Sequence, residues 1–290
     1  MKKILLLGAN SQLGTDIQYI FSFYPQYELI IVYRKDLDIE KDDIYQFLKQ
    51  IDFDVLINCT SYHKTDECED FPLRSLIVNG IAVRKMAMLC NLHNKLLIHF
   101  STDYVFDGKK NQPYVENDST NPLNMYGVSK LTGEHFIKSL HDKFFIFRVS
   151  SLFGLAGPIE KGNNFIETVI QLGKQGKKLN LINDQVMSPT YTLEIAIAVI
   201  KFIDQNIDEY GIYHCSGEGE CSWYEFAEEI FELLYMNVVL IPVPYTSNQT
   251  KAQRPLYSAL DNTKLKNFYQ MKHWRDSLSD YLIRRGHFNE

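Results

Sequence analysis

The chain has 290 residues, 45% hydrophobic and 23% charged, with a net charge of −6. This is the composition of a soluble globular protein, without the basic footprint that nucleic acid or an anionic membrane surface requires. No run of 18 apolar residues is present, the five cysteines show neither a Cys-x-x-Cys pair nor zinc-ligand spacing, and Gly8 and Asn10 break the opening apolar run too early for a secretion signal. A cytoplasmic protein with no membrane partner, no nucleic-acid partner and no metal is expected.

Lys3 to Leu7 is a continuous apolar run, as in a strand buried on both faces. Gly8-Ala9-Asn10-Ser11-Gln12-Leu13-Gly14 follows, then Ile17, Ile20, Phe21 and Tyr24 at helical spacing up to Pro25. Strand, glycine turn and helix make the context of a dinucleotide site, where free amides at the helix start hold a phosphate. Ser11 stands at the middle glycine position; it can cap the helix but narrows the approach of a pyrophosphate. Leu29 to Tyr33 reads as the second strand, and Arg34 at its end suits a 2'-phosphate, which favours NADPH over NADH. The alternative for Arg34-Lys35-Asp36 is a solvated charged turn. Asp38 and Ile39 follow, where they could flank an adenine.

Asp43 to Gln50 reads as a helix and Asp54 to Cys59 as a third strand. Thr60 and Ser61 are small enough at its end to pass close to a cofactor. Asp66, Glu67, Glu69 and Asp70 fit solvated helix-entry charge better than a metal site. A helix over Leu76 to Leu92 carries Asn79, read as a surface residue or a cofactor contact. Leu96 to Phe100 is the fourth strand, with Ser101-Thr102 at its carboxyl end, where open α/β sheets bind ligands. Asn121 to Asn124 leads into a helix bearing Tyr126 and Lys130. Four residues apart, these two share one side of the helix. A free phenol, with a pKa near ~10, is too weak an acid for neutral pH, and a nearby ammonium would lower it. Phe144 to Val149 is the next strand.

After Ser150, Gly154, Gly157, Pro158, Gly162 and Asn163-Asn164 mark a loop region. Helices are expected over Phe165 to Leu172, after Ser188-Pro189-Thr190 to about Ile203, from a capping box at Ser222-Glu225 to Leu234, and in a final helix holding Asp280 to Arg285. Leu179 to Ile182, Tyr213 to Cys215 and Val238 to Pro244 read as strands. The fold class is α/β, a Rossmann-type doubly wound parallel sheet. Residues 1–150 form the dinucleotide-binding part; 151–290 form a smaller, intermixed substrate-binding region.

Gly8…Gly14, Ser101-Thr102-Asp103-Tyr104-Val105-Phe106-Asp107-Gly108, Pro122-Leu123-Asn124-x-Tyr126-Gly127-x-Ser129-Lys130 and Phe147-Arg148 resemble the extended short-chain dehydrogenase/reductases. Gly162-Asn163-Asn164-Phe165, Ile182-Asn183-Asp184-Gln185, Pro189-Thr190 and Arg254-Pro255 resemble, within them, the dTDP-4-dehydrorhamnose reductase branch. The resemblance implies about seven mostly parallel strands and an NAD(P)H-dependent reduction of the 4-keto group of a nucleotide-activated 6-deoxy sugar. It implies Thr102, Tyr126 and Lys130 as catalytic residues. Gly8, Asn10, Ser11, Gln12, Leu13, Gly14, Arg34, Asp38, Ile39, Cys59, Thr60, Ser61 and Asn79 would bind NADPH (NADH as the alternative) with Tyr126 and Lys130. Thr102, Asp103, Tyr104, Ser151, Asn164 and Arg254 would meet the nucleotide sugar, Arg254 at its diphosphate.

The chain departs from that branch at Ser11, at Ser151 where a Trp often stands beside the sugar, and at Asp16 and Leu193. Those two replace glutamates that hold magnesium in some members. A homodimer is compatible with the resemblance. Two further readings of the same fold are an epimerase or dehydratase that returns the hydride, and a non-catalytic NADP-binding subunit resembling the β-subunit of methionine adenosyltransferase. The absence of Gly-x-Ser-x-Gly and Gly-Lys-Ser/Thr disfavours a serine hydrolase and a phosphate-loop NTPase.

Overall fold

Apolar runs without alternation become strands covered on both faces, and they build the centre of the computed structural model, which describes residues 1–156, 164–247 and 250–288. In chain order the elements are β1 (Lys2–Leu7), α1 (Gln12–Phe21), β2 (Tyr27–Val32), α2 (Ile44–Lys49), β3 (Val55–Asn58), α3 (Thr65–Asp70), α4 (Pro72–Leu76), α5 (Ala82–Leu92), β4 (Leu96–Thr102), α6 (Met125–Leu140), β5 (Phe144–Val149) and β6 (Leu152–Phe153). There follow α7 (Phe165–Lys174), β7 (Leu179–Ile182), β8 (Val186–Met187), β9 (Thr190–Tyr191), α8 (Thr192–Asp204), β10 (Gly211–His214), β11 (Cys221–Ser222), α9 (Trp223–Leu233), β12 (Leu240–Val243), α10 (Thr263–Lys266) and α11 (Trp274–Arg284).

Six strands form one sheet in the order β10-β5-β4-β3-β1-β2, and every pairing in it is parallel. Among the described residues the sheet holds six strands, where about seven are implied by the resemblance. The register places Leu7 opposite Asn58, Asn58 opposite His99, and Thr102 opposite Val149. The carboxyl ends of β1, β3 and β4 therefore lie side by side. One face is covered by α1 and α8 through Ile17, Phe21, Ile195, Val199 and Phe202. The other is covered by α2, α5 and α6 through Leu48, Val83, Met86, Cys90 and Ile137. The second half of the chain thus supplies both a strand and a layer helix to the first half's sheet. Most of its remaining elements pack around Phe226, Trp274 and Tyr281, while α10 joins the sheet core through Leu265.

Local chemistry starts the helices, at Ser11 and at Ser222-Glu225 as the sequence leads one to expect. Ser11, Asn124 and Asn164 cap α1, α6 and α7 with their side-chain oxygens, and Ser222 with Glu225 closes the capping box of α9. The expected helix over Leu76 to Leu92 differs. It starts at Pro72, and Ile77–Ile81 takes a wider π-helical turn. Leu76, where the helix is expected to start, is only half-buried. The run Pro72–Leu92 is long and apolar enough to cross a membrane by length and composition alone, yet Val83, Met86, Ala87 and Cys90 within it are core residues. The acidic stretch Asp66 to Asp70 is itself helical, and the final helix begins at Trp274. Gly157, Pro158, Gly162 and Asn163, read as loop, lie outside the described residues.

Candidate functional site

From β1 the chain winds one way to β2 and the other way to β3, β4 and β5. The direction reverses between β1 and β3, and open α/β sheets take their ligands in the crevice beyond that reversal. Gly8 ends β1 with φ +73°, a left-handed backbone that favours glycine. A β-carbon on Gly14 would stand 2.5 Å from the Gly8 carbonyl oxygen, so only glycine lets α1 start against the strand end. Ser11 fits without a glycine: its amide donates to the Gly8 carbonyl at 2.9 Å and its hydroxyl accepts from the Gly14 amide at 3.0 Å. Asn10, Gln12 and Leu13 line the same turn, and the first-turn amides of α1 have no partner inside the helix. This cradle suits the diphosphate of a dinucleotide.

Beyond β2 the crevice opens to water. Arg34 leaves 64% of its side chain exposed and lies 3.6 Å from Asp38 and 4.0 Å from Glu40. Asp38 also faces Lys41, and half-buried Ile39 packs on the core beneath α2. Arg34 and Asp38, read as separate cofactor contacts, are thus partners of one another.

At the ends of β3 and β4 the site is polar and buried. Thr102 closes β4; its hydroxyl donates to Asp103 at 3.0 Å and accepts the Tyr104 amide at 3.2 Å. Fully buried Asp103 also accepts from Ser258 at 2.6 Å and Ser150 at 3.0 Å. Burial pushes its carboxyl up to about 6, against those three hydroxyls. Tyr126 lies one residue inside α6, with the hydroxyls of Thr102 and Ser61 beside its phenol and its ring edge-on to Tyr104 at 6.1 Å. Here the sequence expectation is corrected: burial pushes the phenol up to about 12, outweighing the Thr102 and Ser61 hydroxyls, rather than an ammonium bringing it down. Lys130 is itself pushed by burial down to about 8, with Glu134 and Cys59 opposing. Its Nζ donates to the Phe100 carbonyl at 2.5 Å and lies 3.3 Å from Nε2 of His99.

Asn79 is buried, not on the surface. Its Oδ1 accepts the Tyr62 amide at 2.9 Å and the Ser61 hydroxyl at 3.3 Å, and its Nδ2 donates to the Tyr62 carbonyl at 3.0 Å and to Ser129 at 2.9 Å. The wide turn of Ile77–Ile81 aims that amide, which ties the Cys59–Tyr62 segment to α6. Thr60 turns back on Asn58, donating its amide at 3.0 Å and its hydroxyl at 2.5 Å to Oδ1. Half-buried Cys59 donates its amide to Leu7, and burial pushes its thiol up.

Among the residues expected to meet a substrate, Ser151 adopts φ +44° and its carbonyl accepts the Thr190 amide. Arg254 donates to Asp66 at 2.9 Å and to the Ala252 carbonyl at 3.3 Å, and Tyr104 stands beside it. Asn164 caps α7 and donates to the Tyr281 hydroxyl at 2.9 Å, apart from the Thr102–Tyr126 pair. Among the described residues no group of three or more acidic, His or Cys side chains could hold a metal. Asp16 instead takes the Thr192 hydroxyl, joining α1 to α8. The sequence reading passed over Asn58, His99, Ser150 and Ser258. None has a local motif; the register of β3 with β4 and the return of the chain near Ser258 bring them in.

The model of the RmlD substrate binding domain family matches residues 1–285. A spore coat polysaccharide biosynthesis protein of Bacillus subtilis (strain 168) is 33% identical, with 99% of each chain covered. A dTDP-4-dehydrorhamnose reductase of Aggregatibacter actinomycetemcomitans is 35% identical over 97% of this chain and 98% of its own. A crystal structure of a dTDP-4-dehydrorhamnose reductase from Bacillus anthracis, in complex with NADP, superposes with a TM-score of 0.90 at 36% identity, covering 98% of this chain and 100% of that one.

Proposed function

Because the chain belongs to the RmlD substrate binding domain family, we propose that it reduces the 4-keto group of a nucleotide-activated 6-deoxy sugar with NADPH. The observation that carries this reading is the meeting of Thr102 and Tyr126 at the carboxyl end of β4, with Lys130 one turn further along α6. When bound, the reduced nicotinamide supplies a hydride to C4. The Gly8 to Gly14 turn would hold the cofactor's diphosphate, Arg34 its 2'-phosphate and Lys130 the nicotinamide ribose.

Tyr126 keeps its proton through neutral pH, since burial holds the phenol near 12. A proton donor in a reduction has to be loaded before the carbonyl oxygen gains charge. Tyr126 gives that proton to the C4 oxygen. Thr102 has a single proton, which Asp103 accepts in the substrate-free chain. To orient the carbonyl, Thr102 turns this proton from Asp103 to the C4 oxygen, and Asp103 keeps the hydroxyls of Ser150 and Ser258. Arg254 would exchange Asp66 for the substrate's diphosphate. Region 151–290 frames the sugar, and a homodimer, read by light scattering, belongs to the same proposal.

A panel of 4-keto sugar nucleotides with NADPH and with NADH, followed by loss of nicotinamide absorbance, tests the proposal. One NADPH should be consumed per sugar. Turnover of a sugar nucleotide without net cofactor oxidation would instead identify an epimerase or dehydratase.

A further inference from the structure

Asn58, His99 and Lys130 form a buried row across β3, β4 and α6. The orientation of the Asn58 amide is fixed by a group that can only donate. The Thr60 backbone N–H lies 3.0 Å from one amide atom, which must therefore be the oxygen. The other, Nδ2, lies 3.0 Å from Nδ1 of His99. An amide NH2 only donates, so Nδ1 is the acceptor and carries no proton. Burial pushes the imidazole well below its ordinary range, so the ring is neutral and its one proton sits on Nε2. That N–H faces Nζ of Lys130 at 3.3 Å. An ammonium has three protons and no lone pair, and would meet the imidazole N–H proton to proton. An amine can accept it while still donating to the Phe100 carbonyl.

We propose that His99, locked by Asn58 as the Nε2–H tautomer, is a positioning residue that holds Lys130 against β4 and favours its amine form in the cofactor-free protein. Burial acts in the same direction on Lys130. The other ionisable groups around Lys130 are Cys59, beyond β3, and Glu134, one turn further along α6; Glu134 is already bound by Arg148 of β5 at 2.7 Å. The inference deepens the proposed function, because Lys130 is the cofactor-side member of the catalytic set. The ribose and charge of a bound cofactor would draw Lys130 off His99 and shift it further toward its ammonium, so His99 ties the charge of Lys130 to occupancy of the crevice.

The experiment is NMR on the cofactor-free protein labelled with 15N-histidine and 13C-lysine, with Lys130 assigned by Lys130→Arg. The ring nitrogen shifts of wild-type His99 should show Nε2 protonated and Nδ1 bare. His99→Leu, which removes the N–H, should raise the midpoint of the Lys130 titration by roughly one pH unit, a tenfold change matching one hydrogen bond. His99→Gln, which can keep an N–H directed at Lys130, should hold the midpoint near wild type, and that rescue separates the hydrogen bond from a general packing effect. A proton on Nδ1 in the wild type overturns the proposal, with no need for a variant to fold. Equal midpoints in wild type and His99→Leu overturn it as well. Both readouts omit cofactor and substrate, so a failed reductase panel and a failed titration are distinguishable results.

Discussion

The two ends of the crevice hold their charged groups in opposite ways. Beyond β4, Lys130 and Asp103 are buried, and each is bonded to neighbours from different elements: Lys130 to the β4 backbone and His99, Asp103 to Thr102, Ser150 and Ser258. Beyond β2, Arg34 keeps 64% of its side chain in water and has only acids at 3.6 and 4.0 Å. Burial magnifies every interaction, so beyond β4 the fold shifts the protonation of each group. In water a long side chain gains little from its partner and is free to take another. The proposed catalytic end is therefore already bonded together in the free chain, while the proposed adenosine end keeps a charged side chain free to change partner.

Replacing Tyr126 gives the harshest test of a pre-built catalytic end. Tyr126→Phe removes one hydroxyl and little volume, so folding and NADPH affinity should survive while turnover falls by about 10²–10⁴. Near-wild-type turnover with saturating cofactor would move the proton donor elsewhere.

Asp16 asks whether burial sets protonation away from the reacting atoms too. Burial pushes its carboxyl up to about 6 from an ordinary 3.8, with the Thr192 hydroxyl and Arg284 opposing. Between those values the folded chain holds a proton that the unfolded chain has released, so this group's contribution to stability falls as pH rises through the window. Asp16→Asn keeps the shape and cannot ionise. Relative to wild type it should gain up to about 3 kcal/mol between pH 4 and pH 7 in urea unfolding. A difference between the two proteins that does not change with pH would mean that Asp16 is not raised.

Arg254 lies between the two extremes, half-buried and already bonded to Asp66. Arg254→Ala should raise KM for the sugar nucleotide by roughly tenfold and leave cofactor affinity alone, the loss of one charged hydrogen bond offset by the release of Asp66. An unchanged KM would place Arg254 outside the substrate site. The smallest effect is expected at the wet end. Arg34→Ala should weaken NADPH relative to NADH by about 1 kcal/mol, because an exposed guanidinium gives up Asp38 to take the phosphate. Equal losses for both cofactors would show that Arg34 does not read the phosphate.

Local chemistry in the sequence by itself determined the frame. Short apolar runs such as Ile4 to Leu7 and Phe144 to Phe147 fit strands covered on both faces. Ser11, Ser222 and Asn124 start helices through bonds that span three residues. Gly14 admits a helix start that any side chain would block, and Tyr126 and Lys130 share a helix side because the period of the helix puts them there. None of this needs knowledge of distant residues. The tertiary structure decided the charge of the groups in that frame. A Tyr-x-x-x-Lys pair suggests a phenol made more acidic by its ammonium, yet the phenol lies near 12 and the lysine near 8, because burial against the ends of β3 and β4 desolvates both. The sheet register alone puts His99 beside Asn58. Asp103 meets Ser258 from 155 positions away. Desolvation and hydrogen-bond partners are properties of a packed neighbourhood, and such a neighbourhood is assembled from segments whose approach no local pattern records.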